Sequence, residues 1–97
     1  MTARLEKLAA AGIEIIPAEI ASHFILARDG FVAFVERREN GFGNIGAPGL
    51  MTERGFAALL WRRGEAFFVG KAFELPASAA QVEKIRAFAA DLQAALA

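Results

Sequence analysis

Ser22-His23 sets a hydroxyl beside an imidazole, the two groups of a nucleophile–base pair. Residues 20–28 read as a strand, and neighbours in a strand point to opposite faces, so these two are not expected to pair. His23 is the only histidine, and the chain has neither cysteine nor tyrosine to meet it across the fold. A lone imidazole with scattered carboxylates also makes a poor metal set. His23 is therefore read as structural or surface, with no catalytic and no metal-binding residue assigned.

A second pattern, Gly41-Phe42-Gly43-Asn44-Ile45-Gly46, spells the G-x-G-x-x-G of dinucleotide-binding loops. Its chemistry needs a strand running straight into the first glycine and a helix starting within the motif, so that free amides meet the pyrophosphate. Here Glu36 to Asn40 intervene before it, and Ala47-Pro48-Gly49 stand where the helix should be under way. The glycines are read as a structural loop, and no cofactor is expected. The basic pairs Arg37-Arg38 and Arg62-Arg63 are interleaved with Glu36, Glu39 and Glu65, which makes local neutrality a better reading than a phosphate-binding patch. Trp61 and nine phenylalanines lack a basic groove to accompany them, so nucleic acid is not an expected partner.

Composition narrows the class. Eleven basic and eleven acidic residues cancel, which removes any general pull toward nucleic acid or anionic membrane. The 56% apolar content excludes disorder and asks what covers so much apolar surface. No apolar run approaches the roughly 20 residues of a membrane span. Met1 to Lys7 mixes charges where a secretion signal would begin its apolar stretch. With no cysteine, a cytoplasmic location is expected.

The elements follow from periodicity and punctuation. Thr2 starts a short helix to about Ala11, with Leu5 and Leu8 inward and Gly12-Ile13 as a left-handed ending. Ile13 to Ile16 is a short extended piece closed by Pro17. Residues 24–35 and 58–69 then align as two copies of one hairpin, with Arg-x-Gly between apolar runs in each. Asp29-Gly30 is a strong two-residue turn and Arg63-Gly64 a weaker one. Residues 39–51, with four glycines, are expected to form an ordered loop packed on the body, the alternative being a tight turn at Asn40-Gly41 that extends the sheet by a small strand. Residues 52–63 also suit a capped helix, but the repeat and Gly55 favour a strand. Ser78-Ala79-Ala80-Gln81 is a capping box that opens an amphipathic helix, with Val82, Ile85, Ala89, Leu92 and Leu96 inward.

The expected fold is α+β, a single domain over residues 1–97: a four-stranded antiparallel sheet from two hairpins, flanked by N- and C-terminal helices. Such a sheet is about 19 Å wide, and two helices about 10 Å across would cover one face and leave the other bare. Both faces carry apolar residues, and a bare apolar face marks an interaction surface. The leading expectation is a non-enzymatic homodimer that buries Phe31, Val35, Phe67 and Val69. The alternative is a small-molecule module, with an apolar ligand held between the sheet face and the 39–51 loop by His23, Phe42, Ile45 and Trp61.

Overall fold

The computed structural model describes residues 2–17, 20–39 and 41–97. Helix α1 (Thr2–Ala10) leads into eight strands: β1 (Glu14–Ile16), β2 (His23–Arg28), β3 (Phe31–Arg38), β4 (Gly41–Ile45), β5 (Gly49–Thr52), β6 (Gly55–Arg62), β7 (Glu65–Val69) and β8 (Glu74–Pro76). Helix α2 (Ala79–Leu96) follows. All strand pairs are antiparallel, in the order β1-β2-β3-β5-β6-β7-β8 with β4 also on β3, and the sheet curls into a half-barrel.

The α+β class stands, but the four-stranded sheet does not. The two hairpins are present as β2–β3 and β6–β7, with β6 a strand over residues that also suited a helix. The excess comes from segments outside them. The short pieces at 14–16 and 74–76 add edge strands, and the glycine-rich stretch enters the sheet as β4 and β5. Both pair with β3: Arg38 faces Gly41 and Val35 faces Ile45 on its far half, while Val32 faces Gly49 and Phe31 faces Leu50 on its near half. They are one long strand bent at Gly46-Ala47-Pro48, so the meander has seven positions for eight segments. Glycines mark close approach here rather than a loop. A Cβ at Gly49 would stand 2.5 Å from Phe56 Cζ, and one at Gly43 would stand 2.5 Å from Arg38 Nε. The expected Asn40-Gly41 turn falls partly on Asn40, which lies outside the described residues.

Both hairpin turns have two residues at positive φ, Asp29 (54°) with Gly30 (84°) and Arg63 (51°) with Gly64 (79°). That is the twist-matched two-residue hairpin turn. The two copies nevertheless present opposite sides to the helices. Their turns lie three strand positions apart in the meander and so point to opposite ends of the sheet. Turning a hairpin end for end while keeping its left-to-right strand order exchanges its faces. Leu26, fully buried under the helices, thus corresponds to Leu60, 46% exposed on the far side. Phe34, half-buried on the far side, corresponds to Phe68, which is wholly buried under the helices.

Both helices occupy one face. Leu8 of α1 and Ile85, Phe88 and Leu92 of α2 join Leu26, Phe31, Val35 and Phe68 in a single core cluster. Helix α1 ends as its sequence predicts: Ile13 N–H donates to Leu8 O at 2.9 Å and Gly12 N–H to Ala9 O at 3.0 Å. Leu8 points inward while Leu5 stays exposed. In α2, Ser78 Oγ accepts from Gln81 N–H at 3.1 Å, and Gln81 Oε1 accepts from Ser78 N–H at 2.9 Å, completing the capping box. Phe88 joins the expected inner stripe and is completely buried.

Arg28 ties the layers together. Its Nη1 donates to Ala11 O at 2.9 Å and to Asp91 Oδ2 at 2.6 Å, and its guanidinium stands 5.6 Å from the centre of the Phe88 ring. One side chain from β2 therefore holds the end of α1 and the middle of α2. The outermost strands are short: β1 has three residues and is followed by Pro17, and β8 has three and ends on Pro76.

Candidate functional site

Two surfaces remain once the helices are placed. The first is the opposite sheet face, which neither helix reaches. Alternation along the registered strands puts Ile25, Phe34, Met51, Phe56, Leu60 and Phe67 there, with Val32 and Val69 beside them. Phe34 and Phe56 meet edge to face, 5.2 Å between ring centres, and the Phe56 ring lies over the space that Gly49 leaves open. Met51 (41%) and Leu60 (46%) are among the most exposed large apolar residues of the chain. Two ion pairs lie on this side, Glu36 with Arg38 and Arg62 with Glu74, and alternation puts Glu14 and Glu65 on the same face. The Arg62 guanidinium lies 5.2 Å from the Phe67 ring centre, so it roofs that ring on its way to Glu74.

The second surface is a cleft of about 640 Å³ on the helix side, between the tip of the β6–β7 hairpin and the first half of α2. Trp61 and Ala66 form one wall, with Val82, Glu83 and Arg86 facing them from the helix. Trp61 is 52% exposed, and the Arg86 guanidinium stands 5.6 Å from its ring centre. Val82 belongs to the buried stripe of the helix, and Glu83 and Arg86, one and four positions on, flank it on the exposed side. The part of Glu83 and Arg86 in this wall is not legible in the sequence, because only the placement of the β6–β7 hairpin against the helix creates it.

The residues expected to hold a ligand do not converge. Trp61 lines the cleft just described. Phe42 packs its ring 5.0 Å from that of Phe24, which Arg37 covers from 4.1 Å. Ile45 pairs with Val35 and packs against the core. His23 begins β2 on the helix-free side. The four residues expected at an interface divide likewise: Phe31 and Val35 are buried in the core, whereas Phe67 and Val69 lie on the helix-free face. The hairpin inversion accounts for this, since it separates residues that the repeat suggested were on one side.

The Ser22-His23 expectation is corrected as well. Ser22 Oγ and His23 Nδ1 share a hydrogen bond at 2.7 Å. Ser22 precedes the first strand residue, so the alternation argument does not bind it. The pair is exposed, and the Ser22 carbonyl is occupied by Arg37 N–H at 2.8 Å. Glu36, opposite His23 in the register, gives its carboxylate to Arg38 rather than to the imidazole. The contact is a local one between exposed neighbours, and among the described residues no acid orients the histidine. The G-x-G-x-x-G segment is strand β4 and the bend after it, with no helix following.

Among the described residues, no helix is long and apolar enough to cross a membrane. No protein-family model matches the chain, and neither a curated protein nor a solved structure matches it.

Proposed function

We propose that this chain is a non-enzymatic, cytoplasmic interaction module that pairs with a second copy of itself through the helix-free sheet face. The observation that carries the reading is the row of apolar side chains from Ile25 through Phe34 and Phe56 to Leu60 and Phe67, with both helices on the other side. Five adjacent strand positions, about 4.8 Å apart and about 20 Å long, offer on the order of 480 Å² of projected face. Two copies together would bury about 1,000 Å², the lower bound for a specific interface.

Charge favours a copy over a strongly charged partner. The Glu36–Arg38 and Arg62–Glu74 pairs each cancel, Glu14 and Glu65 stand toward the two outer strands rather than in the apolar row, and the chain carries no net charge, so no overall charge repels a second copy. A two-fold pairing, in which each patch meets itself, is the commonest closed solution. The lack of cysteine accords with a reducing compartment.

Sedimentation equilibrium across the micromolar range tests the reading. The wild type is expected to behave as a dimer. Leu60→Glu and Met51→Glu should both be monomeric while keeping the wild-type circular dichroism spectrum. A wild type that stays monomeric throughout that range overturns the proposal.

A further inference from the structure

We infer that Met51 makes pairing through the helix-free face sensitive to oxidation: once a peroxide converts it to the sulfoxide, the two copies separate. The inference rests on the pairing reading above and names how that same face is controlled. Met51 is 41% exposed and lies on the apolar face, opposite Phe56 in the register. Phe56 in turn meets Phe34 edge to face, so the thioether borders the aromatic part of the row. The chain has no cysteine, and its only other sulfur is that of Met1. A peroxide, which attacks exposed sulfur first, thus finds a single target on the pairing face.

The Sδ lone pair attacks one peroxide oxygen and the O–O bond breaks. The second oxygen leaves as water, taking up the proton of the transferred hydroxyl. Sulfur loses two electrons and the peroxide gains them. A flexible apolar side chain becomes a polar one with a strong hydrogen-bond acceptor. Its neighbours on the face, Phe56 across the strand pair and Val32 on the diagonal, offer that acceptor no donor. Burying it unpaired is unfavourable, and two-fold pairing buries two of them in each dimer. The strand itself is untouched. Met51 N–H donates to Gly30 O at 2.9 Å and the residue pairs with Phe56, so the backbone of β5 is held without help from the sulfur. Pairing covers Met51, so the oxidant reacts with the free copy and the sulfoxide then blocks re-pairing. A thiol-dependent sulfoxide reductase reverses the change: the oxygen leaves as water while two thiols close to a disulfide.

The test is sedimentation equilibrium of the full chain before and after treatment with hydrogen peroxide, with peptide mass spectrometry locating the added oxygen. Oxidation at Met51 is expected to raise the dimer dissociation constant at least about tenfold while the circular dichroism spectrum stays the same. Methionine sulfoxide reductase with dithiothreitol should restore the original constant. Met51→Leu keeps an apolar side chain of similar size and should stay paired through the same treatment, which separates Met51 from Met1 and Trp61. Met51→Gln should pair weakly with no peroxide added. A paired wild type whose dissociation constant ignores Met51 oxidation overturns this inference alone, as does a Met51→Leu variant that peroxide separates equally well. A wild type that is monomeric before any peroxide is added overturns the pairing reading, and this inference with it.

Discussion

The β2–β3 and β6–β7 hairpins share a turn geometry and a run of matching residues, yet they live in different environments. Within the first, Leu26, Ala33 and Val35 are fully buried, and Arg28 is clamped between two helices. Within the second, Leu60 and Trp61 are about half exposed, and Arg62 lies over the helix-free face. Local sequence sets the turn and the pleat. Which side of the pleat becomes core depends on where the hairpin stands in the meander, and an odd number of strand positions between two copies reverses it.

Matched substitutions at repeat-equivalent positions test that reversal, beginning where the contrast is greatest. Phe68→Ala empties a fully buried site and should cost about 3–5 kcal/mol in urea denaturation. Its equivalent Phe34→Ala should cost about 1–2 kcal/mol, because the ring is only half-buried and loses mainly its edge contact with Phe56. Equal losses would mean that both rings share one environment, and the inversion would be wrong. The arginines come next. Arg28→Ala removes two charge-assisted hydrogen bonds at a part-buried site, for an expected loss of about 1–2 kcal/mol. Arg62→Ala breaks a pair that is 53% and 41% exposed, and thermal melting should register under about 0.5 kcal/mol. The smallest effect should lie in the turns. Arg63 holds a φ of 51° that asparagine adopts more easily, so Arg63→Asn should stabilise by about 0.5 kcal/mol. Asp29→Asn, at a turn already well served, should leave the melting temperature unchanged.

The same contrast explains what the sequence made legible. Local signals were reliable: the Gly12 helix ending, the two hairpin turns and the Ser78–Gln81 capping box all take their expected geometry. So was the two-sided apolar pattern, since it needs only the period of a strand. What failed depended on partners distant in the chain. Gly43 and Gly49 looked like loop residues because glycine is a poor strand former. Both lie in strands all the same: at Gly49 the Ala57 carbonyl and the Phe56 ring occupy the space of a side chain, while at Gly43 only the movable ends of Glu36 and Arg38 do. Ser22 escaped the alternation rule by standing one residue before its strand. The candidate cleft was half visible: Trp61 was singled out, but its neighbours Glu83 and Arg86 come from a helix whose placement no local pattern encodes.

The short outer strands have a consequence for how far association can go. A sheet grows by adding backbone to an exposed edge, and that route leads to filaments without limit. Here β1 and β8 offer three residues each, bordered or ended by Pro17 and Pro76, and a proline has no amide hydrogen to give an incoming strand. Edge growth is thus discouraged at both flanks of the meander, while the apolar face remains open. A chain built this way favours a finite assembly over an aggregate, even with more than half its residues apolar.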